Sequence, residues 1–180
     1  MGNEILKGDD LRQGSTSMGE LTKERIESLI QCPKKIIDPP RREMTLSSGH
    51  WRNGMTLQSA DGEHDFSVFM RKNEDFEENF SIGLMYSPRE TRGDICLLRC
   101  NGPHGPHVSF DHHDRYHVHI AEEEIINAGL KAERVAFTTE EYASFDDALG
   151  YFLRKCNITD ADKYFPNVLQ RTLFSGEVQK

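Results

Sequence analysis

Six of the eight histidines fall within sixteen residues: His104, His107, His112, His113, His117 and His119. Imidazole titrates near neutral pH and is the commonest transition-metal ligand, so such a concentration marks the place where chemistry is expected. Asn101-Gly102-Pro103 and Gly105-Pro106 put turns at the start of the cluster. At its end, Tyr116-His117-Val118-His119-Ile120 alternates as a strand does. That alternation sets Tyr116, Val118 and Ile120 on one face and His117 and His119 on the other, about 7 Å apart along the backbone.

Three uses of that pair are open. In a metal centre, His117 and His119 supply two imidazoles, and His107, His112 or Asp114 could complete the set. The sequence has neither a helical His-Glu-x-x-His nor a cupin pattern, so metal and cofactor stay unassigned. In metal-independent phosphodiester chemistry, His117 and His119 serve as acid and base and His107 as a third group. Arg99 or Arg115 would then stabilise the developing phosphate charge. His107-Val108-Ser109 gives one His-x-Ser of a two-histidine phosphoesterase, but no second one follows. Two strands end on the same Arg-x-Asn pattern, Arg71-Lys72-Asn73 and Arg99-Cys100-Asn101, and the candidate ligand-binding residues are Asn101, Arg71 and Arg115. In the third use, the Pro/Gly-bounded loop locks itself by side-chain hydrogen bonds or presents an interaction surface without catalysis. Whether the chain is an enzyme is left open by these residues.

The elements that must position the cluster can be traced along the chain. Residues 1–19 read as a flexible tail and 20–180 as one α+β domain. Thr22 can cap a helix with an Ile26, Leu29, Ile30 stripe that ends before Pro33, and Pro39-Pro40 forces an extended connection. Met44–Ser48 and Met55–Gln58 are weak strands around a turn at Asn53-Gly54, and Asp61-Gly62 marks another turn. His64–Arg71, Phe80–Tyr86 and Ile95–Cys100 are clearer strands, joined by loops too short for crossover helices. Beyond the histidines, Glu122–Gly129 predicts a helix and Val135–Thr138 a short strand. Ser144 and Asp147 make a capping box for a helix buried through Phe145, Leu149, Phe152, Leu153 and Cys156. Thr159 caps a further turn, and Leu169 and Leu173 continue an apolar face. The pattern predicts an open antiparallel β-meander of about five or six strands with helices packed on one face.

Composition narrows the function classes. With 36% hydrophobic and 29% charged residues, the 180-residue chain has enough apolar material for a core. No membrane-spanning run or signal-peptide core is present, which reads as a cytoplasmic protein. Cys32, Cys96, Cys100 and Cys156 lack metal or disulfide-framework spacing and read as reduced, buried thiols, with Cys96 and Cys100 sharing a strand face. A net charge of −8 argues against a broad nucleic-acid groove. Residues 41–120 still hold nine basic residues, and Arg41, Arg42, Arg52, Arg71, Lys72, Arg99 and Arg115 could gather into a small anion site.

The run Phe80-Ser81-Ile82-Gly83-Leu84, then Leu97-Leu98-Arg99-Cys100-Asn101-Gly102, His104, His107, His117-Val118-His119 and Ala148-Leu149 resembles an uncharacterised bacterial domain family over about residues 20–160. The Arg-x-Asn followed by spaced histidines is similar, more distantly, to the small toxins of TumE-type toxin–antitoxin pairs. That likeness implies a sheet-and-helix protein acting on RNA or nucleotides and neutralised by a protein partner, with Arg99, Asn101, His107, His117 and His119 at the site. Asp111-His112-His113-Asp114 departs from it where a more polar, Asn-bearing loop is expected. A non-enzymatic, antitoxin-like interaction module is the alternative, and the acidic helix from Glu122 would then suit a basic partner.

Overall fold

The computed structural model of the chain describes residues 21–89, 93–105, 113–131 and 134–174. The expected tail lies outside them, as do His107 and His112. Helix α1 (Lys23–Gln31) opens on Thr22, whose hydroxyl accepts from the Arg25 N–H at 3.2 Å. Then follow β1 (Lys34–Asp38), β2 (Thr45–Ser47), β3 (His50–Ser59), β4 (Asp65–Asn73), β5 (Phe80–Ser87), β6 (Ile95–Asn101) and β7 (His117–Ile120). Short α2 (Glu123–Asn127), β8 (Ala136–Thr138), α3 (Phe145–Lys155), a 3₁₀ turn (Ala161–Lys163) and α4 (Pro166–Phe174) complete the described order. No helix among the described residues is long and apolar enough to cross a membrane.

The strands form one antiparallel sheet in the order β1-β3-β4-β5-β6-β7-β8, with β2 also on β3. Against the expected five or six strands, the described residues form eight, within the α+β class. The difference lies at the front of the sheet. Lys34–Asp38 pairs with the end of β3, and Asn53-Gly54 sits inside that strand rather than in a turn. The hairpin turn is Ser48-Gly49, with φ of 51° and 72°, the left-handed pair that tight hairpins require. Thr159 does not cap the turn after α3; its hydroxyl donates to the Lys34 carbonyl at 3.0 Å. Pro166 starts α4, as suits a residue without an N–H.

Strict alternation sends Phe66, Val68 and Met70 of β4, Ile82 and Leu84 of β5, and Leu98 and Cys100 of β6 into one apolar cluster. Ile26, Leu29 and Ile30 of α1 and Leu149, Phe152 and Leu153 of α3 join the same cluster. Each such buried side chain contributes about 1.5–3 kcal/mol. Both helices thus cover this inner face, and the alternate residues of the strands make the outer one. A bulge in β6 sets Leu98 opposite Leu84 but Cys96 opposite Met85, leaving Leu97 unpaired. The extra residue puts Cys96 on the outer side and Cys100 on the inner, so the two thiols do not share a face.

Lys34 is the exception within the core: 0% exposed, with its ammonium donating to the carbonyls of Ile30, Cys32 and Cys156 at 2.8, 2.9 and 3.1 Å. These carbonyls belong to the C-terminal ends of α1 and α3, where unpaired acceptors and the negative ends of two helix dipoles favour a cation. The same ammonium lies 4.8 Å from the centre of the Phe66 ring. Burial lowers the Lys34 pKa, and the neighbouring Cys32 and Cys156 oppose that shift.

Candidate functional site

The register of the sheet decides which polar side chains meet. Arg52, Arg71, Ser81, Asn101 and His117 stand opposite one another across β3 to β7, all on the outer face. The next row, two residues along, is Gly54, Phe69, Gly83, Arg99 and His119. Arg71, Arg99, Asn101, His117 and His119 therefore share one face, as a site built from them needs. Arg115 does not join them: its side chain is 70% exposed and 4.0 Å from the Asp114 carboxylate.

His117 is fully buried, Asn101 is 2% exposed and His119 5% exposed. His117 Nδ1 lies 2.8 Å from the Arg115 carbonyl, which can only accept, so Nδ1 carries the proton. Nε2 then accepts from Asn101 Nδ2 at 3.0 Å, and Asn101 Oδ1 accepts from the Ser81 hydroxyl at 2.6 Å. His119 repeats the scheme, with Nδ1 donating to the Val135 carbonyl at 3.1 Å and Nε2 accepting from Arg99 Nη2 at 3.3 Å. Both rings are neutral in this arrangement and both nitrogens of each are engaged. The Tyr142 hydroxyl fixes the strand beneath them, donating to the His117 carbonyl at 2.7 Å.

Beyond the strands, the rings of His104 and His113 lie 4.2 Å apart between centroids, and His104 is 5.2 Å from His117. The His104 N–H donates to the His113 carbonyl at 2.8 Å, so the two ends of the loop are tied together beside β7. The histidines form a packed wall at one side of the outer face. Among the described residues, no three His, Cys, Asp or Glu side chains are grouped to hold a metal ion.

Away from that wall, Ser67, Phe69, Ser81 and Met85 of the outer face are half-buried. Phe69 lies over Gly83, where a Cβ would collide with its ring, and the half-buried ring separates Arg71 from Arg99. Arg71 is exposed, and its Nη2 donates to His50 Nε2 at 2.6 Å, while His50 Nδ1 donates to the Ser48 carbonyl at 2.9 Å. The far end of β4 is closed by Asp65, held by Arg89 at 2.9 Å and by Gln58 at 2.9 Å. Those hydrogen bonds, Arg89 first, keep the Asp65 carboxyl below its ordinary pKa.

A family model matches residues 21–158, from just before α1 to the residue that bridges Lys34. The chain belongs to DUF6978, a family of unknown function. No curated protein and no solved structure matches the chain. DUF6978 agrees in extent with the uncharacterised domain expected over about 20–160, whereas the likeness to TumE-type toxins finds no counterpart in these comparisons. What sequence reasoning passed over in this DUF6978 chain is Phe69. A signal for it existed: Phe66, Val68 and Met70 take the inward positions of β4, so Phe69 is an aromatic residue where alternation calls for a polar one.

Proposed function

We propose that this chain binds RNA or a nucleotide on the outer face of its sheet, as an accessory protein of the toxin–antitoxin or defence-related kind. The observation that carries the reading is the Phe69 ring laid over Gly83 between Arg71 and Arg99. An aromatic platform flanked by guanidinium groups suits a stacked base with its phosphates on either side. Of the described strand residues on that face, Asp38 and Asp65 are the carboxylates, and Asp65 is held by Arg89. The excess negative charge lies elsewhere, including Glu122–Glu124 at the start of α2, which suits a basic protein partner.

His117 and His119 are positioning residues in this reading. They hold Asn101 and Arg99 at the foot of the wall, and neither ring has a nitrogen left for proton transfer in the arrangement described. Fluorescence anisotropy with a labelled single-stranded RNA octamer tests the proposal. The parent protein binds, and Phe69→Ala weakens binding about ten-fold, since stacking is worth about 1–3 kcal/mol per base. Arg71→Ala lowers the salt dependence by about 0.7, one contact on a single strand. Binding that ignores both substitutions sinks the proposal. Gel analysis of the same RNA separates binding from cleavage: cleavage by the parent that His119→Gln abolishes at unchanged Tm would make His119 catalytic instead.

A further inference from the structure

The sheet has a second basic feature, at the edge of β3. β1 pairs with β3 over Thr56–Ser59 and β2 over His50–Arg52, which leaves Asn53–Met55 without a strand on that side. Pro39 and Pro40 have no N–H and cannot extend β1 across the gap. The connection between β1 and β2 is instead clasped by Asn53, whose Oδ1 accepts from the Arg41 N–H at 3.1 Å and whose Nδ2 donates to the Arg41 carbonyl at 2.9 Å. An open cleft of about 440 Å³ results, lined by Arg41, Arg52, Thr45, Asn53, Gly54 and Asp38.

The charges in and beside this cleft do not balance. Arg52 stands directly opposite Arg71 in register, and like charges so placed repel. Among the described residues none of Arg41, Arg52 and Arg71 has a carboxylate within ion-pair distance, although the chain carries 30 acidic residues. Asp38 is the one acid lining the cleft, against Arg41 and Arg52. A bound anion would remove the repulsion and fill the gap.

We infer that the cleft is a second phosphate subsite of the ligand on the outer face, and that this ligand is a single-stranded RNA crossing the strands. The inference rests on the function proposed above and adds the direction and length of what is bound. From Arg52 on β3 to Arg99 on β6 the path crosses three strand spacings, about 14 Å, which a strand of several nucleotides covers and a lone nucleotide does not. Phe69 lies between these two ends.

Labelled single-stranded RNAs of two and eight nucleotides test it against the parent, Arg41→Ala, Arg52→Ala and the double variant. The parent binds the octamer at least about ten-fold more tightly than the dinucleotide. The double variant loses that advantage, its salt slope falls by about 1.4 for two lost phosphate contacts, its dinucleotide binding is unchanged and its Tm is no lower than the parent's. An octamer bound no more tightly than the dinucleotide, or an advantage that survives the double substitution, overturns the inference and leaves the proposed function standing. A parent that binds neither RNA overturns both.

Discussion

His117 sits in an unbroken run of donors and acceptors: the Ser81 hydroxyl to Asn101, Asn101 to His117 Nε2, and His117 Nδ1 to the Arg115 carbonyl. The Arg115 carbonyl can only accept, so it dictates that His117 Nδ1 carries a proton. Proton-resolved ¹⁵N spectra of the imidazoles at pH 7.5 should show the Nδ1–H form for both His117 and His119; a doubly protonated His117 would reverse the Asn101 amide and break the scheme. Asn101→Ala takes one hydrogen-bond partner from half-buried Ser81 and one from buried His117. It should cost about 1–3 kcal/mol in chemical denaturation. Lys34 is the other residue on which much depends. Lys34→Met keeps the stem and removes three charge-assisted bonds to helix-end carbonyls, for an expected loss of about 2–4 kcal/mol by the same measurement.

At the level of elements, inward alternation made β4, β5 and β6 legible, and the Ser144–Asp147 pair marked α3, whose cap forms as expected with Ser144 Oγ accepting from the Asp147 N–H at 3.2 Å. β1 was hidden because its deepest inward residue is a lysine, and a pattern search weighs Lys34 as exposed. Asn53-Gly54 looked like a turn since both types favour turns, yet Gly54 is needed inside the strand, where a Cβ would lie 2.9 Å from the Val68 carbonyl oxygen. No residue type announces the bulge at Leu97, which follows from how β5 and β6 pair. The site was legible as a face, because His117, His119, Arg99 and Asn101 follow strand parity. The engagement of the histidine nitrogens depended on partners distant in sequence, such as Val135 and Ser81. Gly83→Ala tests the element-level claim that one strand makes room for the ring of the next. The added methyl displaces Phe69, should cost about 1–3 kcal/mol, and should weaken RNA binding alongside the fall in Tm. Unchanged binding would separate Phe69 from the ligand.

For the whole molecule, alkaline pH is the revealing condition. Burial raises the thiols of Cys100 and Cys156 above their ordinary value of 9.0, Cys156 to about 12, and raises the Tyr142 phenol above 10.0. In the unfolded chain these groups deprotonate first, so the folded state holds more protons and stability falls as pH rises from about 9, by up to about 1.4 kcal/mol per pH unit for each group. Lys34 works in the opposite sense, because its folded value is lowered and the unfolded chain holds the extra proton up to 10.5. Burial raises the Tyr116 and Tyr151 phenols as well, so the groups that lose stability outnumber Lys34 and Tm measured from pH 8 to 11 should decline. Lys34 also joins parts far apart in the chain: its N–H donates to the Asn157 carbonyl at 2.9 Å, and its own carbonyl accepts from the Thr159 N–H at 2.9 Å. These partners lie up to 125 residues downstream. During synthesis, then, the eight described strands have been made before these partners of Lys34 exist. At ordinary elongation rates Lys34 waits roughly 6 to 25 s for them, long enough for a chaperone to meet the nascent chain before α3 does.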